Sequence, residues 1–536
     1  ADDVAGQHPI ITELPQPRGA VTALALDALL ENLYVGTADG QVVHVALSET
    51  ESPEMRAAYT VAASSTAVTT LGFLSGDRSL VVMSEDGAVS TWGLVRRADA
   101  PSGWKLTQIH TLRPHNAPVT AFAPSQRVKG FVTGDMKGNL FLHHATSSQT
   151  LLRLANSEFP IRAVAFAPKG DGLIALDGAG QLSLYQVQNA YPEVTLETLF
   201  GKVWYEGYDQ PAHVWQSSSG SDDVEPKLGL LPLAFGTLKG TMYALFLAVP
   251  IAILAAMCTS QFMHQDLRAK IKPIIEVMAA LPTVVLGFLA GLWLAPLLER
   301  MLPAVAGMAL VLPLLVVVAS FAWYLCPLSV KRHLPQGQEA LLLIPILGLG
   351  IAGCLWANPL IEGWWFDGNV KAWLSSRLGI QYDQRNALVV GLVMGFAIVP
   401  VIYSIAEEAL SNVPKIQIAG SLALGATRWQ TVLYLVLLSA SPGIFSAVMI
   451  GFGRAIGETM IVLMATGNTP ILDWNWANGF RTLSANIAVE IPEAPHGGSL
   501  YRVLFLAALL LFIVTFVINS LAELIRQRLR DKYSHG

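Results

Sequence analysis

The amino-acid sequence predicts a multi-domain chain with two unlike parts. The first is an N-terminal all-β, propeller-like repeat array, partial as it stands; the second is an all-α polytopic membrane domain. Three observations predict this. The 536 residues are 53% hydrophobic and 14% charged, against about 25% charged in an ordinary soluble domain, and mean hydropathy is +0.48. The composition divides near residue 228: before it acids outnumber bases 24 to 15, after it bases outnumber acids 19 to 15. The front half repeats itself, and the back half is a series of apolar runs. An acidic front gives no reason to expect a nucleic-acid partner. The three cysteines, Cys258, Cys326 and Cys354, all lie in apolar segments; they form no disulfide framework and are expected to be small buried hydrophobes.

The repeats occupy residues 1–199. Four segments align, beginning at Val21, Val68, Val119 and Ile161. Each reads as an apolar strand, a polar turn, a second strand, a Gly-containing turn and a third strand. The second turn carries Asp39-Gly40, Asp86-Gly87, Lys137-Gly138 and Ala179-Gly180, where glycine supplies the positive φ of a tight hairpin. The runs MRAAYTV, WKLTQIHTL and TLLRLA supply fourth strands. Four antiparallel strands every 40–50 residues make a propeller blade similar to the WD40 pattern, although the Trp-Asp dipeptide is missing. Four blades are at the low end of the usual range, and the run ITELPQP reads as the outer strand of an earlier blade, so upstream sequence is expected. A complete four-bladed propeller or an open β-array is the alternative.

Residues 200–235 read as a linker and pre-helix segment, aromatic in FGKVWYEGY, as expected near a membrane interface, then polar in QSSSGSDDVEPK. The membrane domain, 236–526, contains seven apolar spans, near 236–259, 274–298, 303–326, 339–357, 386–406, 440–466 and 501–524. About 20 residues cross the hydrocarbon. Pro250, Pro282 and Pro313 fall inside spans. Parity puts four basic segments on one side: Arg268, Lys270 and Lys272; Lys331, Arg332 and His333; Lys415 and Arg428; and Arg526, Arg528, Arg530 and Lys532 in and before the tail, 527–536. The positive-inside rule makes that side cytoplasmic. The β-array is then outside, which again calls for upstream sequence.

The stretch from Glu407 to Glu458 is the most informative. A polar loop, 407–438, breaks at Asn412-Val413-Pro414, and Gly425 permits a tight turn before a helix from Thr427 to Leu438. A helix–turn–helix beneath a membrane domain suits docking in a partner's groove; an ordinary interfacial helix is the bland alternative. Arg454 and Glu458 then stand four residues apart in an apolar span. A charge at the bilayer centre costs about 2.5–3.5 kcal/mol even on the permissive insertion scale. Pairing on one helix face lowers that cost, and a guanidinium fits an oxyanion with forked hydrogen bonds. A structural pair locking two helices is the competing reading. Thr283, after a Pro, lines the path or packs helices. Asn468 and Thr469 meet an external partner or cap a helix. Trp364-Trp365 and Trp474-Asn475-Trp476 read as interfacial anchors. His143-His144 on a strand make a poor metal site, since neighbours face opposite ways; no metal or cofactor is expected.

At these residues the sequence resembles a family. Glu408-Ala409-Leu410 followed by Leu424-Gly425-Ala426-Thr427 looks like the EAA loop of ABC-importer permeases. LGATRWQTV, PGIFSAVMIGFGRAIGETMIV and ATGN resemble the phosphate-import permeases, the C-type subunit more than its A-type partner. GLLPLAFGTLKGT and LPTVVLGF match the family's first core helices. The likeness covers about 200–298 and 386–530; the β-array and the span pair at 303–357 lie outside the basic pattern. The family's Leu-Pro before the next helix is replaced here by Leu437-Leu438.

The resemblance implies a type I ABC importer permease fold in the bacterial inner membrane. It implies that Glu407, Glu408, Ala409, Gly425, Ala426 and Thr427 belong to a loop that couples to ABC ATPase subunits. A second, A-type permease subunit and an extracytoplasmic phosphate-binding protein are the other implied partners, besides membrane lipid. Phosphate is the implied substrate, with Arg454, Glu458 and Thr283 in its path. ATP would be bound by the partner, since the chain has no G-x-x-x-x-G-K-[ST], and the subunit would not itself be an enzyme. Alternatives are a membrane phosphate sensor or regulatory subunit with the propeller as its interaction module, a permease for another oxyanion, and an ion-coupled secondary transporter.

Overall fold

The computed structural model describes residues 16–17, 19–47, 54–63, 66–98, 103–218, 224–326 and 342–533. The chain divides into two compact units, Ala1–Leu231 and Pro232–Gly536.

In the first unit, fifteen strands form three four-stranded sheets and one of three strands. The orders are β1-β2-β3-β4 (Val21–Leu26, Asn32–Thr37, Gln41–Ala46, Glu54–Thr60), β5-β6-β7-β8 (Val68–Phe73, Ser79–Ser84, Val89–Arg96, Trp104–Thr111), β9-β10-β11-β12 (Val119–Pro124, Gly130–Asp135, Asn139–His144, Gln149–Ala155) and β13-β14-β15 (Ile161–Phe166, Gly172–Asp177, Leu182–Gln186). All pairings are antiparallel and sequential. The expected hairpin glycines have φ of +77, +83, +78 and +84° at Gly40, Gly87, Gly138 and Gly180, the left-handed region open to glycine. The first strands β1, β5, β9 and β13 adjoin in order. Small residues let them close up: a Cβ on Gly36 would stand 2.8 Å from Val68, and one on Gly134 2.5 Å from Ile161. The run ITELPQP lies almost wholly outside the described residues.

A buried polar chain links the β8–β9 connection to β10 and β11 of the third sheet. His115 Nδ1 meets Asp135 Oδ2 at 2.9 Å, His115 Nε2 meets Thr133 Oγ1 at 2.7 Å, and Thr133 Oγ1 meets His143 Nε2 at 3.0 Å. His144 instead pairs with Ser147 and Glu225, so the two adjacent histidines do face different neighbours. Residues 200–216 are not a free linker. After helix α1 (Leu196–Phe200), Val203 and Ala212 form a bridge. Trp204 O meets His110 Nε2, Glu206 pairs with Lys129 at 2.7 Å, and Trp215–Gln216 pairs with Lys227–Leu228. Tyr205 is buried and Trp204 and Tyr208 are half-buried, while Phe200 stays exposed, which a linear reading of FGKVWYEGY could not anticipate.

The second unit is helical. Among the described residues, six helices are long and apolar enough to cross a membrane: α2 (Leu231–Phe262), α4 (Thr283–Arg300), α5 (Leu302–Leu325), α6 (Leu343–Trp365), α8 (Ala387–Ser411) and the apolar part, Ser499–Arg528, of α14 (Ser499–Tyr533). Shorter helices are α3 (Gln265–Ala279), α7 (Val370–Leu378), α9 (Lys415–Ala423), α12 (Met460–Ala465) and α13 (Leu483–Glu490). The segments α10 (Arg428–Ser439) and α11 (Ser441–Ile456) meet at 68° and make a seventh crossing if taken as one span. Two expected spans are therefore corrected. The 274–298 span breaks at Ala280–Pro282, and Pro282 caps α4 rather than lying inside a helix. The 440–466 span breaks again after Ile456. Pro282 disfavours helical backbone in the residue before it, and Gly457 ends α11.

α5 and α6 pack on each other as a hairpin, and most of their apolar side chains stay exposed. Asn358 ties its base, accepting from the Ala304 N–H at 3.0 Å. Of the cysteines only Cys354 is buried; Cys258 is exposed and Cys326 partly so, because these helix faces point away from the core. Lys331, Arg332 and His333 lie outside the described residues, as do the side chains of Arg530 and Lys532.

Burial lowers the pKa of His44 to about 4 and of His143 to about 3. The unfolded chain takes up these protons as pH falls through about 6.5, whereas the folded one resists. Stability from these groups is therefore full above about 6.5 and declines as pH drops toward 4. Thermal unfolding followed on the β-sheet signal should show a falling midpoint over that window, and a smaller fall in His44→Gln.

Candidate functional site

Among the described residues, the basic segments around Arg268–Lys272, Lys415–Arg428 and Arg526 gather at one end of the helical unit. Gln261 Nε2, at the end of α2, donates to the Leu410 carbonyl at 3.1 Å, and Tyr403 Oη donates to Thr259 Oγ1 at 3.1 Å. α2 and α8 therefore finish together. Glu407, one turn from the end of α8, is fully buried. It accepts from Arg268 and, at 3.1 Å, from Lys272 Nζ, both on α3; Ser411 Oγ is also bonded to Arg268. Glu407 thus clamps α3 to the foot of α8. Removing one partner of a buried pair is far more costly than losing a surface pair.

The other loop residues fall in different places. Glu408 is exposed and lines a groove of about 270 Å³ with Asn412, Pro442, Ser446 and Arg526. Ala409 packs on Gly443 of α11, so tightly that a Cβ at Gly443 would overlap it. α9 has no buried residue, and Ile416, Leu424 and Trp429 are exposed around it. Gly425, at φ +90°, turns the chain. Ala426 is half-buried beside it, and Thr427 caps α10 through a capping box with Gln430. The expected helix to Leu438 ends at Ser439. Pro442, in the first turn of α11, stands at the 68° bend, although the Pro of the family pattern is absent at Leu438.

α11 rises from this end and carries Arg454 in its last turn. The helix stops at Ile456, so Arg454 and Glu458 do not share a helix face as their spacing suggested, and no ion pair joins them. Gly457 ends the helix, and Glu458 turns forward: its Oε1 accepts the Ile461 N–H at 3.3 Å at the start of α12. Arg454 is half-buried and forms no hydrogen bond or ion pair among the described residues. Thr283 is the half-buried first residue of α4. A Cβ on Gly287, one turn on, would stand 2.7 Å from the Met460 carbonyl, so α4 and α12 run side by side from neighbouring starts. Ser484 Oγ, in the first turn of α13, donates to the Glu458 carbonyl at 3.0 Å. The starts of α4, α12 and α13 thus converge on the Gly457–Thr459 break. Helix starts carry positive dipole ends.

At the opposite end, Asn468 Nδ2 donates to the Leu463 carbonyl, and Trp474 packs edge-on against Phe235 at 4.9 Å. The contribution of Ser484 was not legible in the sequence, because its partner is 26 residues away along the chain. Arg268 and Lys272 had been legible only as loop charge. Lys239, by contrast, is visible as a single lysine in an apolar run, GTLKGTMYALF.

Several apolar crossings, a bent and broken span with charged residues at its breaks, and an exposed helix at the basic end define a polytopic membrane transport component. The chain belongs to the family described as the binding-protein-dependent transport system inner membrane component, whose model matches residues 248–531. It is 26% identical over 314 residues to the phosphate transport system permease protein PstC of Mesorhizobium japonicum, covering 58% of this chain and 78% of that one. It is 28% identical over 239 residues to PstC 2 of Mycobacterium tuberculosis, covering 42% and 70%. The probable ABC transporter permease protein YqgH of Bacillus subtilis is 24% identical over 306 residues, covering 57% and 74%.

Glu407→Gln should lower the thermal midpoint of the purified protein by several degrees, since a loss of about 1–3 kcal/mol is expected for a buried charged hydrogen bond. Glu408→Gln, on an exposed carboxylate, should leave it within about one degree. Parallel melts of both variants check this contrast.

Proposed function

We propose that the chain is the permease subunit of an ATP-driven importer that moves inorganic phosphate across the bacterial inner membrane. The observation that carries this reading is the exposed α9–Gly425–α10 turn at the basic end, joined through one bend to the helix that bears Arg454. Such a helix suits a groove in a cytoplasmic ATPase, and the basic end is the cytoplasmic end by the positive-inside rule. The repeat unit is then extracytoplasmic. The resemblance of LGATRWQTV and GFGRAIGETM to phosphate permeases and the names of the relatives both favour phosphate. A second permease subunit, paired ATPases that bind the ATP, and an external phosphate-binding protein complete the assembly.

In this reading Arg454 meets the anion with forked hydrogen bonds. Glu458 holds the start of α12 and, with its own charge, keeps the anion from binding too tightly to leave. Thr283 borders the same path. Converging helix starts suit an anion, as half-helices do in other transporters. Coupling begins at Glu408 and α9; Glu407, Ala409, Gly425, Ala426 and Thr427 shape and anchor that surface.

Uptake of labelled phosphate by cells carrying the whole transporter tests the reading. It should require a hydrolysing ATPase partner. Arg454→Lys and Glu458→Gln should each lower uptake at least about tenfold, as loss of a charged hydrogen bond of 1.5–3 kcal/mol implies, with normal assembly in the membrane. Wild-type uptake in both would remove these residues from the path, and uptake independent of the ATPase would remove the coupling.

A further inference from the structure

Lys239 lies on α2 and is 1% exposed. Among the described residues its ammonium forms no hydrogen bond and no ion pair; its one recorded contact is the Phe480 ring, 5.9 Å from Nζ to the centroid. A buried, unpaired cation is unfavourable, and an ionisable residue inside a membrane segment points to function. Phe480 is itself fully buried. Its ring edge abuts the helix beside the lysine, since a Cβ on the adjacent Gly240 would come within 2.7 Å of the ring. The segment carrying the ring is pinned on both sides: Thr466 Oγ1 donates to the Phe480 carbonyl at 2.8 Å, and the Leu483 N–H donates to Thr237 Oγ1 at 3.0 Å.

That segment opens α13, the helix whose Ser484 touches the Glu458 break. Asn486, on its first turn, is fully buried, and neither side-chain polar atom has a partner among the described residues. Asp473 and Asp383 are the carboxylates whose field reaches Lys239. Both are already engaged: Asp473 accepts from Asn475 N and Asn478 Nδ2 at 2.8 Å each, and Asp383 accepts from Gly479 N at 3.3 Å. Among the described residues Lys239 therefore has no hydrogen-bond acceptor, and the Phe480 ring lies over its ammonium.

We propose that Lys239 is an oxyanion-binding station in the outer half of the path, reached before Arg454, with the Phe480 ring as the cover that the anion displaces. This rests on the reading of the chain as an oxyanion permease. An ammonium has three donors and exchanges the ring face for phosphate oxygens without a change of charge state. A station of this kind holds the anion while the Arg454 region is still closed.

The test compares the full transporter with Lys239→Met and Lys239→Arg. Uptake of labelled phosphate, sulfate and molybdate is measured over a range of concentrations, together with thermal unfolding of the purified complex. Lys239→Met should lower maximal uptake at least about tenfold while melting at or above the wild-type temperature, because a buried charge has been replaced by an apolar side chain of similar length. Lys239→Arg should keep at least about a third of the uptake, since the donors remain. Wild-type uptake in Lys239→Met, or loss of uptake together with loss of the folded complex, overturns the station and leaves the permease reading standing. Absence of uptake of all three anions by the wild type overturns both.

Discussion

The close packing of α8 on α11 is the contact on which the helical unit depends. Gly443, Ala447 and Gly451 present small residues every fourth position along α11. Ala409 sits against Gly443, and Ile402 and Ile398 lie against Gly451. Inside a bilayer, lipid tails compete equally for apolar side chains, so helices associate where small residues let backbones approach. Glu407 and Glu408 stand at the foot of α8, and Arg454 stands in the last turn of α11.

Around this pair the chain breaks its helices at three places, near Pro282, near Ala440–Pro442 and at Gly457–Thr459. Each break frees backbone groups that need partners in a membrane. At Glu458 the structure supplies them locally: the carboxylate takes the Ile461 N–H, and Ser484 bonds the Glu458 carbonyl. Charge is handled with equal care at the margins. Arg481 pairs with Glu490 at 2.8 Å, and Glu407 holds Arg268 and Lys272. Arg454 and Lys239 are the contrasting cases, half-buried and buried cations without an ionic partner among the described residues.

The β unit is stabilised by different means. Its sheets approach through glycines on their strands, and its third sheet is stitched by the His115–Asp135 and Thr133–His143 contacts. These histidines are neutral parts of a core. His143 and His144 face opposite ways, as strand neighbours do: one meets Thr133 and the other Glu225.

Local chemistry made much of the molecule legible beforehand. The period of the repeats, the Gly turns at 40, 87, 138 and 180, the apolar runs and the side on which basic residues gather are all properties of neighbouring residues, so the linear sequence determined them. Gly425 and the Pro414 break belong to the same class. What only the tertiary structure decided are matters of distance between remote segments. Arg454 and Glu458, four apart in sequence, are separated because Gly457 ends one helix and Glu458 begins another. Glu407 and Glu408, adjacent in sequence, part company because one faces α3 and the other a groove. Residues 203–216, within the expected linker and pre-helix segment 200–235, bond to one another and to the sheets. In each case periodicity fixed which residues were apolar or charged, while the partner that settled the side chain's role came from a segment far along the chain, and no local pattern encodes that meeting.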